Sequence, residues 1–153
     1  MIKIVLFQPD NPQNMGAFMR LCACIAVELH VIEPCGFVWD AKKMKRVAMD
    51  YGAMVDPIRH SSWKAFLDSK QEQPDSRLLL LTTKTSQRYV DFAFQSDDFL
   101  VLGSESSGAP DYVHERVDGR ITIPMQANAR SLNIVNAASM VVGEALRQTS
   151  WSK

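Results

Sequence analysis

The sequence predicts an α/β fold, a mostly parallel sheet flanked by helices. Three observations carry that reading. Short, wholly apolar runs, Leu78–Leu81 and Phe99–Leu102, read as strands covered on both faces. Between such runs lie segments with apolar residues every three or four positions, as in Met15, Phe18, Met19, Cys22, Ile25 and Ala26, the period of a helix. Strand and helix patterns then alternate along the chain, the signature of α/β architecture.

In order, residues 2–7 read as the first strand, stopped by Pro9, and 14–27 as the first helix. Residues 29–32 form a second strand, closed by Pro34 and Gly36. Asp40 caps a basic helix carrying Lys42, Lys43, Lys45 and Arg46. Residues 54–58 make a short strand, which Pro57 assigns to a sheet edge. A helix starts at Ser61 or Ser62 and runs through Leu67, and polar residues 71–76 lead into the leucine strand. Residues 121–123 form a last strand, stopped by Pro124. Ser131 caps the last long helix, whose apolar residues lie nearly all round, so more than one neighbour is expected to cover it.

Composition bounds the function. With 153 residues the chain makes one domain, 1–153, large enough for a real core. Lys and Arg number 17, as do Asp and Glu, so a protein that coats polyanions non-specifically is disfavoured, although a local basic patch is not. The three cysteines, Cys22, Cys24 and Cys35, lack a disulfide framework and read as reduced thiols of a cytoplasmic protein. His30, His60 and His114 are scattered, so no metal site is expected. The N-terminal apolar run, residues 1–7, is too short for a signal h-region, and no run is long enough for a membrane span.

Three polar segments stand at strand ends, where open α/β sheets bind ligands. The first is residues 11–16, with Asn14 and Gly16 near a helix start and Arg20 one turn beyond Gly16; a helix cap with a solvated arginine explains the same residues. The second, residues 103–110, has two glycines five apart and one carboxylate, Glu105. Gly103 there allows a close backbone approach to a ligand. Ala109-Pro110 replaces the Lys-Ser/Thr of a phosphate loop, and no G-x-G-x-x-G occurs, so nucleoside triphosphate and standard dinucleotide sites are excluded. A plain connecting loop remains the alternative. The third spans residues 121–138, where Asn133 and Asn136, three apart, share a helix face and form either a polar wall or internally satisfied amides.

Together the three segments resemble the SPOUT methyltransferases. Asn14, Gly16 and Arg20 match the N-x-G-x-x-x-R of motif 1, Glu105 and Gly108 match motif 2, and residues 121–125 with 131–136 match motif 3. With no N- or C-terminal extension, and with Phe7-Gln8-Pro9, Ile32-Glu33-Pro34, Gly36-Phe37, Trp39-Asp40 and Leu81-Thr82-Thr83-Lys84, the chain is similar to the smallest subgroup, the tRNA (cytidine(34)-2′-O)-methyltransferases. It departs at Met15, where many members carry threonine, and at Gly143, where members often have a larger residue.

The resemblance implies a deep C-terminal trefoil knot, a homodimer, S-adenosyl-L-methionine as methyl donor without a metal, and 2′-O-methylation of the wobble nucleotide, cytidine or modified uridine, in the anticodon stem-loop of tRNA, leucine isoacceptors foremost. It places the cofactor at Leu81, Gly103, Ile123 and Ser131, with Met125 and Leu132 nearby, and the catalytic roles at Arg20, Glu105 and Asn14. Arg20 would hold the target phosphate, since a guanidinium stays protonated and binds phosphate through a fork. The basic residues 42–46 would be joined into one RNA-binding surface by the dimer, with the first and last helices at its centre. No membrane and no DNA partner is expected. A SPOUT ribose methyltransferase acting on another RNA position, and a non-catalytic RNA-binding module of the same fold, are the rival readings.

Overall fold

The computed structural model describes residues 1–151. In chain order the elements are β1 (Lys3–Phe7), α1 (Pro12–Ile25), β2 (Glu28–Ile32), α2 (Ala41–Val47), β3 (Ile58–His60), α3 (Trp63–Lys70), β4 (Leu78–Leu81), β5 (Phe99–Leu102), α4 (Asp111–Arg116), β6 (Gly119–Ile121) and α5 (Ile134–Thr149). Single 3-10 turns cover Met49–Ala53 and Tyr89–Asp91. The six strands order as β3-β2-β1-β5-β4-β6, and every pairing is parallel.

Strand alternation divides the core between the two faces of this sheet. Ile4, Leu6, Leu29, Leu79, Leu100 and Leu102 face α1 and α5, meeting Met15, Phe18, Ala138, Val141, Val142 and Leu146. Val5, Phe7, Ile32, Leu78, Leu80, Phe99 and Val101 face the other way, onto Phe66 of α3 and Val113 of α4. The in-register pairs Phe7 with Ile32, Leu6 with Leu102, and Leu81 with both Leu102 and Ile121 bring the carboxyl ends of five strands level.

The sequence reading needs correction at element ends. Asn11 caps α1, its side-chain oxygen accepting the N–H groups of Gln13 (2.9 Å) and Asn14 (3.1 Å), so the helix begins at Pro12 and not at Asn14. The first position suits proline, whose missing N–H has no partner there anyway. The edge strand is 58–60 and not 54–58, and β6 is 119–121 and not 121–123. Asn133, not Ser131, caps the last helix by accepting the N–H groups of Val135 (2.9 Å) and Asn136 (3.3 Å). Asn133 therefore lies before the helix and shares no helical face with Asn136. Within one chain α5 is covered on one side only, since Met140 is 44% exposed and Ser139 faces outward. Helix α4 escaped the sequence reading altogether.

Two local features carry stability. Gly16 lets α1 lie directly on α2: a Cβ there would stand 2.2 Å from Val47 Cγ1 and 2.9 Å from the Val47 carbonyl carbon. The Asp98 carboxylate, wholly buried, is held by the Arg77 fork (2.8 and 2.7 Å) and by the Gln95 N–H (2.8 Å), which ties down the turn before β5.

A polar chain also crosses the second core. Glu28 is an acceptor only, so the single N–H of neutral His30 goes to it from Nε2 (2.7 Å); His60 Nε2–H then donates to His30 Nδ1 (2.9 Å). Burial, chiefly, holds both imidazoles below their ordinary proton affinity, His60 with the further influence of its neighbour.

Gly16→Ala is expected to cost about 1–3 kcal/mol, read from the denaturant midpoint, because the added methyl meets backbone as well as a side chain. Val47→Ala in the same chain should recover part of that loss; full recovery would show that the backbone contact does not matter. The histidines give a second expectation. Unfolding lets both take protons below about pH 6.5, while the folded chain resists, so stability is complete above that pH and falls as the solution is acidified. Thermal melts from pH 7.5 to 5 should show the fall, and His30→Leu/His60→Leu should shrink it. An equal fall in the double variant would place the titrating groups elsewhere.

Candidate functional site

A cavity of about 540 Å³ opens at the carboxyl ends of β4, β5 and β6. Residues 81–84 form one wall, 102–105 and 107–109 a second, and 122, 123 and 125 a third, while 131–134 and Ala137 close it from the start of α5. His114 of α4 and Asn14 of α1 complete the lining. The volume suits a small ligand with an apolar body and a few polar ends. Leu81, Leu102, Ile123, Leu132 and Ile134 supply the apolar surface, and the hydroxyls, amides and strand-end backbone supply the polar points.

Glu105 is the anchored charge of this site. Its Oε2 accepts the Asp10 N–H (2.8 Å) and its Oε1 the Asn14 side-chain amide (3.4 Å). Asn133 Nδ2 in turn donates to Asn14 Oδ1 (3.2 Å), joining the start of α5 to the start of α1. Ser106 Oγ donates to Asp10 Oδ2. Half-burial, then the adjacent Asp10 carboxyl, raise the proton affinity of Glu105 above the usual carboxylate range. Asp10 is held below it by hydrogen bonding with Glu105 and Ser106. The two carboxyls thus bias each other in opposite directions, Glu105 upward and Asp10 downward.

The loop after β5 supports itself. Ser104 and Gly108 exchange backbone hydrogen bonds (3.2 and 2.9 Å), and Ser104 Oγ meets Ser107 Oγ at 2.8 Å. Gly108 adopts φ +68°, a conformation glycine takes without strain. A Cβ on Gly103 would lie 2.4 Å from the Gly108 carbonyl carbon and 2.5 Å from the Ala109 nitrogen. The space beside the Gly103 Cα is filled by its own loop, so a bulky residue there would break that loop, while Gly103 itself lines the cavity.

The structure gathers Asn14, Leu81, Gly103, Glu105, Ile123, Met125, Ser131 and Leu132 around one cavity. Arg20 is not among them. Six residues after Asn14, it stands ~9 Å further along α1 and about 240° round its axis. It is exposed, with its guanidinium 5.2 Å from the Tyr51 ring centre and 3.8 Å from Met49 Sδ. Lys42, Lys43, Lys45 and Arg46 are exposed on α2, away from the cavity lining. Thr82, Thr83, Lys84 and His114 line the cavity without having been singled out as site residues. Thr82 to Lys84 follow directly on an apolar strand, a readable signal; His114 sits on the short helix that its sequence did not announce.

Cys22 is buried and its thiol pushed up to about 12, and Cys35, half-buried, to about 11, mainly by burial, so neither is a ready nucleophile. Among the described residues no three His, Cys, Asp or Glu side chains form a metal cluster, and no helix is long and apolar enough to cross a membrane.

Comparison with known proteins finds relatives over nearly the whole chain. A protein named tRNA (cytidine(34)-2′-O)-methyltransferase from Beijerinckia indica subsp. indica is 49% identical over 145 residues, 95% of this chain and 90% of that one. A solved structure described as "Structural insights into the 2-OH methylation of C/U34 on tRNA" superposes with a TM-score of 0.89 at 35% identity, covering 97% of this chain and 95% of that chain. The SpoU methyltransferase AviRb from Streptomyces viridochromogenes, solved in complex with AdoMet, shares the fold at a TM-score of 0.85 and 24% identity, over 97% of this chain and 57% of that one. The SpoU rRNA Methylase family matches residues 1–143, which include every strand and every cavity wall, and the chain belongs to that family.

Proposed function

We propose that this chain, one methyltransferase domain over residues 1–153, methylates the ribose 2′-hydroxyl of nucleotide 34, cytidine or modified uridine, in tRNA, using S-adenosylmethionine. The observation that carries the reading is the convergence of Asn14, Glu105 and the strand-end residues on one cavity. The names of the relatives supply the substrate.

The lining fits the methyl donor: apolar side chains flank a space of suitable volume, and strand-end backbone supplies polar contacts without a phosphate cradle. Leu81, Gly103, Ile123, Met125, Ser131 and Leu132 would hold it. Bound there, S-adenosylmethionine supplies a sulfonium-activated methyl that the ribose oxygen takes as a neutral thioether leaves. The chain's own task is to orient a weakly nucleophilic hydroxyl and receive its proton. Glu105, in its ionised form, accepts the hydrogen bond of the 2′-hydroxyl, with Asn14 fixing the carboxylate. Arg20 stands outside the cavity, where it holds a backbone phosphate of the RNA with its fork.

Two further features belong to the proposal. The first is threading of α5 through the 82–98 segment as a trefoil knot. Supporting it, Thr122 N–H donates to Gln87 O (2.8 Å), Tyr89 N–H donates to Thr122 O (2.9 Å), and Gln148 bonds the backbone of Phe92 (3.0 Å) and Phe94 (2.9 Å). The second is a two-fold dimer. The outward side of α5, with Met140 and Gly143, and that of α1, with Leu21, give it an apolar face, and pairing would bring two copies of the basic α2 together.

The deciding experiment is incubation with labelled methyl donor and bulk tRNA, leucine isoacceptors included, followed by mapping of the methylated nucleotide. Label in ribosomal RNA alone, or RNA binding without transfer, would replace the proposal. In single-turnover assays at saturating RNA and donor, Glu105→Gln should slow transfer about 100-fold and abolish the acid limb of the pH–rate profile, with donor binding retained. Arg20→Ala should slow transfer comparably, and Arg20→Lys should not restore it. A near-normal rate in Arg20→Ala would make Arg20 a surface residue. Sedimentation at micromolar concentration should show a dimer, which Met140→Lys should disrupt; a fully active monomer would defeat the pairing.

A further inference from the structure

A second cleft, about 350 Å³, opens at the carboxyl ends of β2 and β3, lined by Glu33, Cys35, Phe37, Trp39, Arg59 and Ser61. The Phe37 and Trp39 rings lie within 24° of parallel, with centres 6.5 Å apart. The Arg59 guanidinium lies 4.5 Å from the Trp39 ring centre and its Nε donates to Glu33 Oε1 at 2.6 Å. Both rings are half-buried and Arg59 is exposed, so this face of the molecule is open.

The chemistry is specific in kind. Flat aromatic faces beside a flat cation stack nucleobases of any sequence. A carboxylate at their edge can accept from an exocyclic amine. An apolar segment of protein suits the cleft poorly, because covering it would take the Arg59–Glu33 pair out of water.

The cleft is also tied to the cavity already described. Gly36 N–H donates to Pro9 O (2.9 Å), and a Cβ on Gly36 would lie 2.4 Å from Asp10 Cβ, so the loop bearing the aromatic rings rests on Asp10. Asp10 N–H is the donor that holds Glu105. Only β1 separates β2 from β5, so the facing edges of the two openings stand two strand spacings apart, about 10 Å. That span is roughly three stacked base steps.

We propose that the cleft is a subsite for an unpaired nucleobase of the substrate RNA, stacked on Trp39 and Arg59 a few nucleotides from the methylated ribose. The inference rests on the reading of the chain as an RNA methyltransferase.

The test uses the full chain and an RNA stem-loop of anticodon-arm sequence carrying 2-aminopurine at one loop position at a time. Wild type should quench one position beside the target nucleotide. Trp39→Ala should lose that quenching and bind the stem-loop about ten-fold more weakly, with S-adenosylmethionine affinity unchanged by calorimetry. Trp39→Phe should keep most of the binding, and Arg59→Ala, at an exposed position that threatens the fold little, should lose it as Trp39→Ala does. Binding within two-fold of wild type in Arg59→Ala and in a folded Trp39→Ala, alongside normal methylation of nucleotide 34, overturns the subsite alone. Trp39-dependent binding with no methyl transfer by wild type upholds the subsite and overturns the catalytic reading.

Discussion

The parallel pairing of β1 with β5 is the constraint on which the site depends. Leu6 stands opposite Leu102, so the chain leaves both strands at the same level. Only that register lets the turn after β1 present the Asp10 N–H to Glu105 in the turn after β5, across 95 residues of sequence. A slip of one residue would also exchange Ile4 and Leu6 for Val5 and Phe7 against α1 and α5, reversing both faces of the core. Burial of apolar side chains on two sides therefore secures the register, and the register positions a carboxylate that no local sequence rule would place.

The strands were legible because their composition left few choices. Four leucines in a row, or Phe-Leu-Val-Leu, cannot stand half-exposed, and both proved buried interior strands. Helix ends were less legible because several neighbours competed to cap them. Asn11 precedes Asn14, and Asn133 follows Ser131, and in each case the asparagine whose side chain reached two free N–H groups decided the boundary. Helix α4 was invisible because six residues, one of them buried, leave no periodicity to read.

The site was readable residue by residue but not in its connections. Asn14 and Glu105 could each be singled out, yet their hydrogen bond depends on tertiary structure alone. Arg20 shows the converse. Its spacing from Gly16 suggested the crevice, whereas the helical step turns it toward Tyr51 and Met49. A net charge of zero concealed a segregated surface, because the cations of α2 are all exposed on one short helix.

The turn after β5 has a consequence for affinity. Its two backbone hydrogen bonds and paired serines close residues 104–108 on themselves. A molecule entering the cavity meets a wall already in shape and spends little of its interaction energy on ordering that wall. For this wall, the share of molecules in which it is misshapen, and with it the loss of apparent affinity, is kept small.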